Sequence, residues 1–332
     1  MKKYIPIQPE TQQRIHNSHK LTESWIPKVP SIYQIEVMSR CDFGCTFCQT
    51  GVRGGPYQGS PYIDRELFNT IVERDLGGSS FVELQFRGEP TLNKHLKEFV
   101  LKLRSKVLVG FSTHGNLLHS HHAFFAALNS HYITISMDAG EKELYEQYRL
   151  GGCWERLIQN INLLVTKKGI NPLPIIDLQL IEFEGFEEQV EKLQKVSDEN
   201  GWNLYQKDSV RIRTVKDTQS SFINKESIYS HELCTNPWYS VSIKANGDVV
   251  PCCMAFEDEK DMMYGNLKEH SLEEIWNSNI VHDFRKRHRD NEALSITCQR
   301  CTARSPHNLH QTIAHDIVKR TLLCNAIPTM FE

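Results

Sequence analysis

No run of about 18 uncharged apolar residues occurs in the 332-residue chain, which excludes a membrane-spanning helix on sequence grounds. Charge of one sign is not in excess: 38 basic against 41 acidic residues leave a net −3, too balanced for a globally basic nucleic-acid binder. Glycine and proline are sparse, at 18 and 13, and no internal repeat or low-complexity tract is visible, so collagen-like and disordered classes fall away. The first residues, MKKYIPIQPE, carry two lysines with no apolar run behind them, so no signal peptide is read and a reducing cytoplasm is the expected compartment. What remains, with 39 % hydrophobic residues, is an ordinary globular composition long enough for about two domains.

Cysteine is the exception, with ten. A disulfide framework belongs to small secreted chains, and this chain fits neither description. The positions favour metal: Cys41, Cys45 and Cys48 form one tight group, Cys298 and Cys301 another, with Cys234 and the adjacent Cys252 and Cys253 between them. Cys153 and Cys324 stand alone.

Residues up to about 216 alternate strand-like and helix-like patterns. Strands are expected at 33–38, 81–87, 107–112, 132–137, 175–181 and 210–213, and helices at 65–75, 95–104, 121–129, 154–167 and 186–199. Such alternation argues for a parallel sheet with helical crossovers, and six units suit an open or partial barrel whose functional residues gather at the carboxyl ends of the strands. Beyond the polar stretch 217–221 the alternation stops. A hairpin is expected at 241–251 around Asn246-Gly247-Asp248, and a helix at 271–278 capped by Ser271 with Glu274.

CDFGCTFC directly follows the first predicted strand. Cysteines with three and then two residues between them can wrap three corners of a [4Fe–4S] cube, leaving one iron open because no fourth cysteine is nearby. A structural zinc site is the alternative and needs a fourth ligand from elsewhere. The stretch resembles the CxxxCxΦC signature of radical S-adenosylmethionine (SAM) enzymes, with Phe47 at the aromatic position. That resemblance implies a partial (β/α)6 TIM-like barrel in which SAM chelates the open iron and is cleaved to a 5′-deoxyadenosyl radical. Other landmarks follow in family order at predicted strand ends. Gly88, Glu89 and Pro90 resemble the GGEP motif, with Arg87 replacing its first glycine. Thr113 and Asn116 lie in a segment similar to TNG, with His114 where Asn is usual. Ser136 and Asp138 resemble SxD, Arg149 the arginine that pairs with the SAM carboxylate or, alternatively, with the local Glu146, and Gln179 and Leu180 the pair that brackets adenine.

The later cysteines resemble SPASM and twitch modules, which add iron–sulfur clusters to such barrels. The stretch after Cys301 has no further cysteine nearby, so the shorter, twitch-like form is expected: one auxiliary [4Fe–4S] cluster held by Cys234, Cys252, Cys298 and Cys301, with Cys324 a possible late ligand. A four-cysteine zinc fits that spacing on physics alone. The implied organisation is an extension (1–31), a radical SAM core (32–216), a linker (217–230), an auxiliary domain with a β-hairpin and helices (231–305) and a helical tail (306–332).

The resemblance implies hydrogen abstraction from a substrate carbon followed by dehydrogenation, the auxiliary cluster taking the electron. The alternatives are an epimerase in which Cys253 returns hydrogen, or a radical rearrangement. It also implies an electron donor such as flavodoxin or ferredoxin. The short stretch ahead of the first strand favours a small molecule, sugar or nucleotide over a peptide. Arg285-Lys286-Arg287-His288-Arg289 is the one dense basic run, which a nucleic acid would find attractive; a zinc-stabilised nucleic-acid-binding protein is the reading from another class. Acid–base candidates are Glu182, Glu184, Asp208, Arg211 and Arg213.

Overall fold

The computed structural model describes residues 28–48, 50, 60–77, 79, 81–169, 171, 173–182, 185–202, 210–216, 234, 236–255, 260–292, 294–299 and 301. The expected linker and helical tail, Cys324, Glu184 and Asp208 lie outside the described residues, as do the side chains of Glu182, Arg211 and Arg213.

Strand and helix alternate as the hydrophobic patterns predict: β1 (Ile32–Ile35), α1 (Arg65–Thr70), β2 (Phe81–Glu83), α2 (Leu96–Leu103), β3 (Leu108–Thr113), α3 (His121–Asn129), β4 (Tyr132–Ser136), α4 (Lys142–Tyr148), α5 (Trp154–Lys168), β5 (Ile175–Glu182), α6 (Phe186–Glu199) and β6 (Val210–Lys216). These six strands are all parallel and lie side by side in chain order, the topology of a partial (β/α)6 barrel. Helix α4 has no counterpart in the predicted set, because Tyr145 is its one buried residue and its apolar period is correspondingly weak.

The two faces of the strands divide the work. Tyr33, Ile35, Val82, Leu84, Val109, Phe111, Ile133, Ile135, Leu178 and Leu180 point outward into the main core with the helices. On the other face Ile32, Phe81, Leu108, Tyr132 and Ile175 meet Tyr239 in a separate apolar cluster that floors the barrel at the amino ends of its strands. Above that floor the interior turns polar. Gln34 donates to Glu83 (3.0 Å), Ser112 donates to Glu83 (3.3 Å), Ser242 donates to Gln34 (2.8 Å), and Tyr132 donates to Asp177 (2.5 Å). Polar strand residues buried in this way survive because they satisfy one another.

The cysteine-rich part continues the same sheet. β7 (Ser240–Ile243) pairs in parallel with β1, then β8 (Asp248–Val250) and β9 (Gly265–Asn266) add antiparallel, so nine strands run in the order β6-β5-β4-β3-β2-β1-β7-β8-β9. The predicted hairpin is therefore β7–β8, turning where Gly247 sits at φ +97°. Helix α7 (Leu272–Trp276) carries the expected capping box between Ser271 and Glu274, and α8 (Asn279–Asp290) and α9 (Ile296–Gln299) follow.

The basic run lies on α8, and the structure corrects the expectation of a continuous basic patch. At helical spacing Val281, Phe284, Arg285 and His288 face inward, with Arg285 and His288 only 5 % and 2 % exposed, and Arg287 pairs with Asp283 at 3.3 Å.

His131 is buried between strands, where its Nδ1 accepts the Val109 N–H at 3.1 Å; burial, reinforced by nearby Arg104, lowers its pKa to about 4. The unfolded chain then binds a proton near pH 6.5 that the folded chain refuses, so stability falls as pH drops from 6.5 toward 4. Urea unfolding should show His131 removing on the order of 2 kcal/mol between pH 7 and pH 5. His131→Asn, which keeps an acceptor for Val109, should flatten that part of the slope; an unchanged slope would refute the assignment.

Candidate active site

The loop Cys41–Cys48 leaves β1 at its carboxyl end and is tied down by backbone contacts from elsewhere. Gly44 and Thr46 donate to the carbonyls of Leu150 and Tyr148 (2.9 and 3.1 Å), and Glu89 N–H donates to Arg40 (2.8 Å). Its apolar residues, Phe43 and Phe47, bury with Cys45 against Tyr148 and Ile181. The expected ligands Cys41, Cys45 and Cys48 all line one cleft of about 210 Å³, together with Phe47, Gly88, Glu89, Thr113, Ser136, Arg149 and Gln179. Residues 41 to 179 thus converge from five strand ends.

Glycine at 88 is required by space. A Cβ there would lie 2.3 Å from the Met38 carbonyl and 2.5 Å from that of Arg40. Glu89 is buried and fully engaged: its Oε1 accepts from Thr91 N–H (3.0 Å) and Thr113 Oγ1 (2.6 Å), and its Oε2 from His114 N–H (3.0 Å). His114, which stands where Asn was expected, stacks on Phe43 at 3.8 Å and reaches Asp42 at 2.9 Å. Burial raises the Asp42 pKa, but the hydrogen bond from His114 outweighs it and holds the carboxyl below its usual range.

Arg149 enters the cleft rather than pairing with Glu146, whose carboxylate accepts from Trp154 N–H instead (3.1 Å). Its guanidinium donates to Asp138 through Nε (2.7 Å) and Nη2, reaches the Cys45 sulfur at 3.8 Å, and lies 5.5 Å from the Phe47 ring centre. Burial works against that charge, but Asp138 keeps the guanidinium protonated above its ordinary range. Asp138 itself sits at φ +59° and also accepts from Ile181 N–H.

Four predicted residues do not line the cleft. Pro90 opens a buried 3₁₀ turn, Asp138 stands behind Arg149, and Asn116 holds Tyr145 (2.9 Å) and the Cys153 N–H (2.8 Å). Leu180 is a correction: strand alternation turns it into the outer core, and Ile181 faces the cleft beside Gln179. The motif reading also missed Gln85, Phe86, Arg87 and Ser112, which line the cleft because they share the parity of inward-facing strand residues or follow β2 directly. The other histidines do not converge: His119 contacts the Asn116 carbonyl and His122 that of Thr91.

A second cysteine group lies against the barrel. Cys252 and Cys253 leave β8, and that loop is held to the cleft wall by Arg87 Nη2 donating to the Ala255 carbonyl (2.6 Å). Cys234 precedes Asn236, and Cys298 and Cys301 bracket a single turn, Cys301 N–H donating to Cys298. Cys252 feels Cys253, Cys234, Cys298 and Cys301, and the Cys253 thiol feels Glu83 and Cys301 and is hydrogen-bonded to Gln34. Burial, then Glu83, pushes the Cys253 thiol up to about 12.

The donor sets fit iron–sulfur clusters. All nine described cysteines are free thiols, and burial raises Cys41 to about 12 and Cys252 well above its usual value, so their thiolates want a cation. Four thiolates on one zinc would sit roughly 3.8 Å apart, given bonds of about 2.3 Å. Among the described residues no three cysteine sulfurs lie mutually within 4.8 Å, a spread that suits a cluster better than one ion. The acid and imidazole beside Cys41, Asp42 and His114, are committed to each other.

Comparison with known proteins agrees. A model of the radical SAM superfamily matches residues 35–178, and one for SPASM, an iron–sulfur cluster-binding domain, matches 234–302. The GTP 3′,8-cyclase of Rhizobium etli is 24 % identical over 164 residues, covering 46 % of this chain and 44 % of the cyclase, so the match spans less than half of that relative. Among solved structures, anSMEcpe with bound AdoMet superposes with TM-score 0.58 at 16 % identity, covering 89 % of this chain and 98 % of its own. Streptococcus suis SuiB bound to precursor peptide SuiA gives 0.58 at 14 %, covering 78 % and 67 %. Both likenesses are of fold. Among the described residues no helix is long and apolar enough to cross a membrane.

Gly88→Ala should lower unfolding free energy by about 1–3 kcal/mol through overpacking and weaken iron retention at the 41–48 loop. Gly77→Ala, whose added Cβ meets nothing within 4 Å, should leave both unchanged. Equal iron retention in the two variants would show that the close approach at Gly88 is dispensable.

Proposed function

We propose, for a chain that belongs to the radical SAM superfamily and carries a SPASM iron–sulfur domain, that it dehydrogenates a polar small molecule held inside its barrel. Cys41, Cys45 and Cys48 would hold the [4Fe–4S] cluster, and Cys234, Cys252, Cys298 and Cys301 the auxiliary one. When bound, the clusters and SAM supply a 5′-deoxyadenosyl radical that removes hydrogen from a carbon, and a nearby electron acceptor.

The chain's own residues prepare that chemistry. Glu89, pre-oriented by Thr91, Thr113 and His114, offers a carboxylate to the SAM amino group, while Arg149, braced by Asp138, offers a cation to its carboxylate. Phe47, Ser136 and Gln179 line the remaining wall. Below, the apolar floor around Phe81 and Tyr239 closes the barrel to water, and Gln34, Glu83, Ser112 and Ser242 present donors and acceptors to a substrate bearing hydroxyl or amino groups. The observation that carries the oxidative reading is the seating of the 252–255 loop: Arg87 lines the cleft and grips Ala255, so the auxiliary cysteines stand beside the reaction chamber. A reducing donor such as flavodoxin or ferredoxin, and a cytoplasmic setting, belong to this reading.

A second reading rests on Cys253. Beside the four cysteines assigned to the auxiliary cluster, its thiol also reaches toward the barrel interior, hydrogen-bonded to Gln34 and near Glu83, a position from which it can return hydrogen to a substrate carbon and so epimerise it.

Anaerobic purification should give about eight irons per chain, and reductant should release 5′-deoxyadenosine from SAM. A product lighter by one pair of hydrogens supports dehydrogenation. Unchanged mass with solvent deuterium incorporated in heavy water, lost in Cys253→Ala while 5′-deoxyadenosine release continues, supports epimerisation. Unchanged mass without deuterium points to the bond rearrangement suggested by the cyclase relative. Stoichiometric zinc without sulfide would overturn all three.

A further inference from the structure

Resting on the auxiliary-cluster reading above, we infer that Tyr264 and Arg285 are the chain's polar contacts to that cluster and raise its reduction potential. Tyr264 lies between β8 and α8: its N–H donates to Val249 (2.9 Å), three residues before Cys252, and its ring meets Phe284 edge-on at 5.3 Å. The side chain is 2 % exposed, and its hydroxyl has no hydrogen-bond partner among the described residues. Arg285 comes from α8. It is 5 % exposed, lies 4.0 Å over the Trp276 ring, and spends Nε on the carbonyl of Pro237, three residues after Cys234 (2.8 Å). Its Nη2 likewise has no partner among the described residues.

A buried hydroxyl and a buried guanidinium nitrogen left without partners destabilise a core, and native proteins keep them where something accepts their hydrogens. The two groups share surroundings. The phenol feels Arg285 and then Cys252, Cys298 and Cys234, the cysteines assigned to the auxiliary cluster. Burial pushes that phenol well above its ordinary range and pulls Arg285 down to about 10. A cluster ringed by four thiolates is net negative, and its sulfurs accept hydrogen bonds. Donors aimed at it stabilise the more negative, reduced form, and so raise its potential. The part of the basic run that faces inward thus acquires a purpose that a solvated patch would not have.

The test uses the full chain with Cys41, Cys45 and Cys48 replaced by Ala, so that retained iron is auxiliary. This parent should keep about four irons; a parent with none defeats the cluster reading itself and this inference with it. In that background Tyr264→Phe and Arg285→Met should each retain the iron yet lower the equilibrium constant for one-electron reduction about tenfold, ~59 mV more negative in a redox titration, with an altered EPR signal. Potentials and spectra unchanged at full iron content would overturn the inference alone. As a control on folding, apoprotein carrying Tyr264→Phe should melt no lower than its apo parent, because no hydrogen bond among the described residues is lost. A lower Tm would assign the hydroxyl a structural role and also overturn the inference.

Discussion

Three sulfurs can face one cleft only because the backbone that carries them is held from outside. The loop at residues 41–48 contains no regular structure of its own, and burial makes Cys41 and Cys45 resist ionisation. What fixes it comes from other crossover segments: the Glu89 N–H on the Arg40 carbonyl, the carbonyls of Tyr148 and Leu150 at the end of α4, and the His114 ring stacked on Phe43. Each comes from a different crossover unit, so the cleft is assembled by the completed barrel and by no single segment. Burial that disfavours thiolates locally is then the condition under which a polycationic cluster core becomes a strong partner.

The same logic extends to the auxiliary part. Because β7 pairs in parallel with β1, the module is not a bead on a string but an extension of the barrel's sheet, and Ser242 of β7 donates to Gln34 of β1 across the shared interior. Glu36 at the end of β1 accepts from Ala245 N–H in the β7–β8 turn (3.0 Å). These contacts carry the 252–255 loop to the edge of the cleft. Proximity of the two cysteine groups therefore follows from strand pairing, whose register is set along four consecutive residue pairs, Ile32–Ser240 to Ile35–Ile243.

Much of this was legible in the order of residues, and the limits are physical. Short β-branched strands and amphipathic helices announced the barrel, and the cysteine spacing announced the donor loop. Parity along a strand was visible, but which parity faced the cleft was not, which is why Leu180 was placed where Ile181 stands. Helix α4 was hidden because a seven-residue helix that buries one tyrosine leaves almost no period. The joining of β7 to β1 was hidden because its contacts span some two hundred residues: Ser242 and Gln34 are 208 apart. The basic run on α8 looked like surface because charge was read without the helical spacing that turns Arg285 and His288 inward.

The departure at His114 shows how such a site tolerates change. Asparagine at that position can offer only a short amide. The imidazole here spans from the Glu89 turn to the cysteine loop: its backbone N–H serves Glu89, its Nδ1 accepts from Asn116 N–H (3.1 Å), and its Nε2 meets Asp42. With Nδ1 an acceptor, the ring's proton resides on Nε2, directed at the Asp42 carboxylate, so the tautomer is set by the backbone. The ring also supplies a flat face for Phe43. One substitution that removes the usual amide thus replaces it with a wider brace between the carboxylate and the thiols. The geometry of the cleft is held here by contacts between its neighbours, the His114 ring among them.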